Sequence, residues 1–287
     1  MKENIVLYNS LDEKHNSAEY ADLFTIVLDT DPKIYDMIND DEMATFRKEY
    51  SSDTDIIICG GDVTLMYFVN RFYSSSQFGR IFYCSCDCVS DFTKDIPVKP
   101  AMDDITIDIT DYLGRLPTAS VDGNDYVFLT GVGFGLDVDI YNSEPIYFRL
   151  LRKRKERKKR LLKDAVFNYD PIDITVDVDG TVQSFEDVWL APTLAGRYYC
   201  DGMLLAPEQD RLNESGTLSL VVLHGAKKRR TVRILNSTYK EKDRSSCRKI
   251  DILTGKDITV KFSRVCNIQV DGSELFSSDS YHAHSPQ

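Results

Sequence analysis

Residues 55–65 read Asp-Ile-Ile-Ile-Cys-Gly-Gly-Asp-Val-Thr-Leu, an apolar β-branched run that breaks at two glycines and resumes as a helical pattern. The isoleucines Ile56, Ile57 and Ile58 suit a strand buried on both faces, as in a parallel sheet. Gly60 and Gly61 then permit a tight turn and a close backbone approach that side chains forbid. Glycines between a strand end and a helix N-terminus let backbone N–H groups reach phosphate oxygens. Asp62 can sit near a metal–nucleotide complex, and Thr64 can cap the helix that follows. The plainer reading is a glycine turn used for geometry alone. Outward from this junction, Asn4–Tyr8, Phe24–Leu28 and Arg80–Cys84 are apolar runs of strand length, while Ile34–Tyr50 and Thr64–Tyr73 have helical length. Buried strands alternating with helices predict βαβ units up to about residue 100.

Beyond residue 100 the pattern becomes short strands: ITIDIT, DYVFLTGVGF, DITVDVDG, DVWLAPTL, TLSLVVL, DITVKF and NIQVDG. The dipeptides Asp122-Gly123 and Asp179-Gly180 favour tight hairpin turns, so this half is expected to be an antiparallel β-sandwich. The 287 residues thus divide into two domains, with a boundary between residues 97 and 118. The fold class is α/β, an N-terminal α/β domain followed by a C-terminal β-sandwich domain.

The composition is 42% hydrophobic and 28% charged, which fits a packed chain rather than a disordered one. Apolar runs all fall short of the ~18 residues of a membrane span, and the start MKENIVLYNS is no secretory signal, so a cytoplasmic protein is expected. The net charge of −11 argues against a general nucleic-acid binder. Seven cysteines, an odd number without secretory context, read as reduced thiols. Cys84, Cys86 and Cys88 share one face if extended. A metal site is conceivable there, but the spacing lacks a second ligand pair, which favours small buried residues at a strand end. His282 and His284 fall in the polar stretch SYHAHSPQ, read as a disordered tail.

Taken in order along the chain, the motifs resemble the catalytic family of diacylglycerol kinases, which includes bacterial lipid kinases and sphingosine kinases. That family's Asn-Pro strand end is matched by Asn9-Ser10, and its Gly-Gly-Asp-Gly-Thr loop by Gly60-Gly61-Asp62-Val63-Thr64. Asp87 to Phe92 fill the place of its Gly-Thr-Gly-Asn-Asp-Phe segment. Its Gly-x-Gly-Phe, Gly-Gly-Met-x-x-Ala-Pro and Val-Asp-Gly-Glu stretches correspond to Gly131–Phe134, Asp201–Pro207 and Val270–Glu274. The resemblance implies an ATP- and Mg2+-dependent lipid kinase. Residues 1–105 would form the nucleotide domain, 106–280 a β-rich domain receiving the lipid substrate, and 281–287 a tail. Asn9, Ser10, Gly60, Gly61, Asp62, Thr64 and Asp91 would hold the nucleotide. Gly133, Gly202 and Met203 would face the substrate, and Glu214 and Asp62 would be catalytic, with Glu214 the surviving base of a segment that reads Glu214-Ser215-Gly216. The resemblance leaves room for a homodimer.

Three departures weigh against efficient ATP chemistry: Val63 at the third glycine, the lost Gly-Thr-Gly-Asn segment, and Ser215 at an acidic position. At positive φ a β-branched residue is strongly disfavoured, and at negative φ Val63 still crowds the phosphates. The alternatives are therefore a degenerate kinase fold kept for binding nucleotide, lipid or protein, and an NAD-kinase-like enzyme acting on a soluble substrate. Apart from the cleft, Arg149–Lys163 reads RLLRKRKERKKRLLK, with ten basic residues and one acid. It is either a solvated helix balancing the acidic remainder or a peripheral contact with an anionic membrane.

Overall fold

The computed structural model describes residues 4–11, 17–28, 31–73, 78–86, 90–96, 100–101, 105–136, 154–200, 202–243 and 245–285. The chain forms two units, residues 1–114 and 115–287.

The first unit contains β1 (Asn4–Tyr8), α1 (Ser17–Val27), β2 (Lys33–Asp36), α2 (Asp40–Glu49), β3 (Asp55–Gly60), α3 (Asp62–Arg71), β4 (Ile81–Ser85), α4 (Asp91–Asp95), β5 (Pro100–Ala101), β6 (Thr106–Asp108) and α5 (Thr110–Leu113). Its sheet has the order β2-β1-β3-β4-β6-β5. The first four strands run parallel, and β6 and β5 add antiparallel at one edge. β3 is buried along its whole length, as three consecutive isoleucines require of a strand covered on both faces. Two expectations fail here. Phe24–Leu28 is not a strand but lies largely in α1, where Ala21 and Phe24 face inward and Ile26 points to solvent. The strand that pairs with β1 is instead Lys33–Asp36, so the helix expected from Ile34 begins only at Asp40, capped by Asn39. The strand read from ITIDIT pairs with β4, which moves the division of the chain past residue 105, to Gly114.

The second unit contains β7 (Thr118–Val121), β8 (Asn124–Val127), β9 (Gly131–Phe134), α6 (Arg154–Asn168), β10 (Ile172–Val178), β11 (Thr181–Leu190), β12 (Thr193–Leu194), β13 (Tyr198–Tyr199), β14 (Met203–Leu204), β15 (Leu218–His224), α7 (Lys228–Thr238), β16 (Ile250–Gly255), β17 (Asp257–Val270) and β18 (Ser273–His284). Ten of its strands form one sheet, in the order β10-β11-β15-β12-β9-β17-β18-β7-β8 with β16 beside β15. β10 also pairs with β17, so six strands close a hydrogen-bonded circuit and lose their free edges. The sheet therefore wraps back over its own core, where the rings of Phe134 and Phe262 lie 4.0 Å apart.

Three hairpins of this unit turn on Asp-Gly pairs with both residues at positive φ: Asp122-Gly123, Asp179-Gly180 and Asp271-Gly272. That is the geometry of the two-residue turn whose twist matches the flanking strands. The two segments DITVKF and NIQVDG are one long strand, β17, with register shifts between them. His282 and His284 are not in a tail but on β18, where Tyr281 and Ala283 alternate with them toward the core. Nε2 of His282 meets Oδ1 of Asp257 at 3.0 Å.

Candidate functional site

The chain leaves β1 toward β2 on one side of the sheet, whereas β3 leads to β4 on the other. The gap between the carboxyl ends of β1 and β3 is therefore a topological switch point, the place where open α/β sheets bind ligands. Tyr8 and Cys59 are in register there, so Asn9-Ser10 and Gly60-Gly61 emerge side by side. Asn9 Oδ1 accepts from the Leu11 amide at 2.9 Å, and Asp36 at the end of β2 accepts from the Ser10 amide at 3.1 Å. Asp36 was missed in the sequence because it ends a strand with only two apolar residues.

Gly60 has φ +153°, and a Cβ built on it would lie 2.6 Å from three side-chain atoms of Thr64. Glycine is thus required by packing of the first helical turn over the loop. Thr64 does not cap α3 as expected. Gly61 is the cap residue, and it supplies no side-chain hydrogen bond. By contrast α2 is capped by Asn39, which accepts from the Asp41 and Glu42 amides, and α4 by Ser90, which accepts from Thr93. The first intrahelical bond of α3 is Leu65 N to Gly61 O, at 3.1 Å, and the Val63 amide has no acceptor among the described residues. A helix N-terminus without a capping side chain, its dipole positive at this end, suits an anion such as phosphate.

Val63 is a helical residue with ordinary negative φ, 37% exposed. The positive-φ objection therefore does not hold for it, and what remains is an isopropyl group beside the amides that a phosphate would approach.

Asp62 is the most heavily committed side chain of the site. Its Oδ1 accepts from Ser90 Oγ at 2.6 Å and from Tyr83 Oη at 3.2 Å. Its Oδ2 accepts from the amides of Asp91 at 2.9 Å and Phe92 at 3.4 Å. The carboxylate thus sits on the N-terminus of α4 and ties it to the glycine loop. With four donors on its two oxygens it is poorly placed to ligate Mg2+, and among the described residues no cluster of three His, Cys, Asp or Glu could hold a metal ion. Asp91 belongs to the site through its backbone amide, and its side chain is buried. Asp87, Cys88 and Val89 lie outside the described residues. Cys59 and Cys84 are buried in register on β3 and β4, with Cys86 half-buried beyond them. Thiol hydrogen bonds from Cys59 and Cys86 hold Cys84 below the ordinary thiol range, and burial pushes Cys59 up.

In the second unit the expected substrate residues pack inward. A Cβ on Gly133 would lie 2.8 Å from Tyr199 Oη and 3.0 Å from Pro192 Cβ, and one on Gly131 would lie 2.6 Å from Leu194 Cδ2. The Gly-x-Gly of β9 thus makes room for Tyr199. That tyrosine pairs with Met203, which is wholly buried, and Gly202 between them has φ +101°. Gly133, Gly202 and Met203 therefore do meet, around a buried tyrosine the sequence did not single out. Glu214 stands apart from them. It is exposed in a turn built by Asn213, whose Oδ1 accepts from the Thr217 amide and from Ser215 Oγ, both at 2.8 Å. Glu214 itself makes no side-chain hydrogen bond or ion pair among the described residues.

Asp271, in the turn between β17 and β18, is wholly buried. Its Oδ1 accepts from the Thr130 amide at 2.8 Å, from Thr130 Oγ1 at 2.6 Å and from the Gly131 amide at 2.9 Å, and its Oδ2 from the Leu129 amide. Burial pushes its pKa upward against the pull of these bonds.

The fold is shared with solved structures along the entire chain. A diacylglycerol kinase from Bacillus anthracis str. Sterne matches with a TM-score of 0.60 and 15% identity, over 100% of this chain and 94% of that one. A protein of the same organism, given that name provisionally, matches with a TM-score of 0.68 and 14% identity, over 100% of this chain and 93% of that one. At such identities the likeness is one of fold. Among curated proteins, no sequence match is found. The family model for the YegS C-terminal NAD kinase beta sandwich-like domain matches residues 142–287, about half of the chain and most of the β-rich unit just described. With its α/β unit ahead of that domain, the chain belongs to the family of the YegS C-terminal NAD kinase beta sandwich-like domain.

Proposed function

We propose that this protein is a slow phosphotransferase that carries the γ-phosphoryl group of ATP, taken up as its Mg2+ complex, to the hydroxyl of a lipid of the diacylglycerol kind. The observation that carries this reading is the N-terminus of α3, with no capping side chain, behind Gly60-Gly61 at the switch point between β1 and β3. Catalysis of phosphoryl transfer is largely positioning plus neutralisation of charge on the transferred group. In this chain the amides at the start of α3 would hold phosphate oxygens, with Asn9 and Ser10 flanking them. Magnesium supplies charge neutralisation when it arrives with the nucleotide. The residues present do not form a separate cage for it, and Asp62 is occupied in holding α4. Glu214 would take the proton of the acceptor hydroxyl. Nothing among the described residues orients it, and a base not held within hydrogen-bond reach forfeits much of its ~10²–10⁴-fold contribution. Slow turnover follows from these two features.

Two other readings have an observation each. The commitment of Asp62 to α4 favours a relative that binds nucleotide without turnover. The NAD-kinase-like character of the β-rich domain favours a soluble dinucleotide acceptor. Incubation with γ-labelled ATP and Mg2+ separates the three, with diacylglycerol in mixed micelles in one arm and NAD in another. The expected result is slow label transfer into lipid and none into NAD. Label in NAD, or none in either acceptor with ATP bound, would transfer the assignment to the corresponding alternative.

A further inference from the structure

The basic run Arg149–Lys163 has a counterpart that lies far from it in sequence. The segment 227–240 reads KKRRTVRILNSTYK, with six basic residues and no acid. It covers α7, and α7 packs beside α6. Leu162, Ala165 and Val166 of α6 share a core cluster with Ile234 and Leu235 of α7. Lys228 Nζ donates to the Phe167 carbonyl at 2.8 Å. The packing of the two helices thereby brings Arg160 and Lys163 into one region with Lys227, Arg229, Arg230 and Arg233.

What faces outward there is cationic and unneutralised. Arg160 and Lys163 on α6, and Lys227, Arg229, Arg230 and Arg233 at and along α7, are exposed. None of the six forms an ion pair with a described residue. Only Lys228 reaches a carboxylate, Asp170 at 4.0 Å, and Asp164 is exposed on α6 as well. Phe167 stands among these cations, 43% exposed, with Lys163 Nζ 5.9 Å from its ring centroid. The side chains of residues 149–159 lie outside the described residues.

We propose that α6 and α7 together form a docking face for an anionic lipid bilayer. Charge complementarity supplies the attraction, and Phe167 supplies an apolar wedge for the boundary between headgroups and acyl chains. A nucleic acid would match the cations but offers no apolar layer to the Phe167 ring. This face rests on no step of the proposed catalysis, so it stands or falls separately from the kinase reading.

The test is co-sedimentation of the whole chain with vesicles of phosphatidylcholine alone or with phosphatidylglycerol added, at low and high salt. Binding is expected only with the anionic lipid, and salt should abolish it. At about fivefold per cation, R229Q/R230Q/R233Q should weaken it about a hundredfold. F167S should weaken it about tenfold. R47Q/K48Q/R71Q removes the same charge from the N-terminal unit and should change binding by less than about twofold. Unchanged Trp189 fluorescence certifies that the β-rich unit of each variant is folded. Equal binding to both vesicle types, binding to neither, an equal loss from the N-terminal triple variant, or tighter binding to duplex RNA than to anionic vesicles would each overturn the proposal.

Discussion

Alanine in place of Asp271 unfolds the β-rich unit. The substitution leaves the amides of Leu129, Thr130 and Gly131 and the Thr130 hydroxyl buried without their acceptor. A buried donor stripped of its partner costs about 1–3 kcal/mol, so four of them cost on the order of 5 kcal/mol or more. That is comparable to the whole stability of a typical domain, about 5–15 kcal/mol. Alanine also tolerates the positive φ at this position poorly. Asp271→Asn separates the two causes. Asparagine accepts left-handed backbone and keeps one carbonyl oxygen, so its cost should be about half that of alanine. The chain's one tryptophan, Trp189, is buried in this unit and reports its unfolding by fluorescence in urea. A wild-type midpoint for the alanine variant would show that the carboxylate is not the tie between these segments.

The next largest effect is expected at Asp62, where alanine should destabilise the N-terminal unit by about 3–4 kcal/mol. The loss comes from Ser90, Tyr83 and the first amides of α4, all of which donate to the Asp62 carboxylate. The donors are buried, but Asp62 itself is only half-buried, so water reaches part of the vacated space and keeps the figure below that for Asp271. Hydrogen exchange should report early opening of α4 and the glycine loop, with Trp189 in the other unit unaffected. If Asp62 were chiefly a magnesium ligand, the variant would lose Mg2+-dependent nucleotide binding while its exchange rates stayed those of the wild type.

How legible this was depended on where the partners of a residue lie in sequence. β1 and β3 were readable because strands buried on both faces must be continuously apolar. The run FTIVL carries the same composition but ends a helix. Its true pattern is inward-facing Ala21 and Phe24 with Leu23 and Ile26 exposed, a helical period hidden inside an apolar run. β2 was missed for the opposite reason, since an edge strand that pairs only with β1 needs little apolar surface. β18 was obscured because the polar His282 and His284 alternate with Tyr281 and Ala283, whose period-two burial makes it a strand. The glycine loop was placed correctly from local chemistry. The commitment of Asp62 to residues 90–92, and of Asp271 to residues 129–131, could not be read, because no local pattern links segments so far apart. The basic face was half-read for the same reason, its second helix lying more than sixty residues downstream of the first.

The central claim is that the N-terminus of α3, behind Gly60-Gly61, receives the phosphates of a nucleotide. The most direct test is a titration with Mg-ATP followed through the backbone amide resonances. Weak binding is predicted, with dissociation constants on the order of millimolar, and with the largest shifts at residues 9–10 and 60–65. Val63→Gly should tighten it about tenfold by removing branched bulk, worth ~1–2 kcal/mol, from beside those amides, at a cost of about 0.5–1 kcal/mol in helix stability. No saturable shifts in the wild type, or shifts confined to residues elsewhere in the chain, would contradict the account.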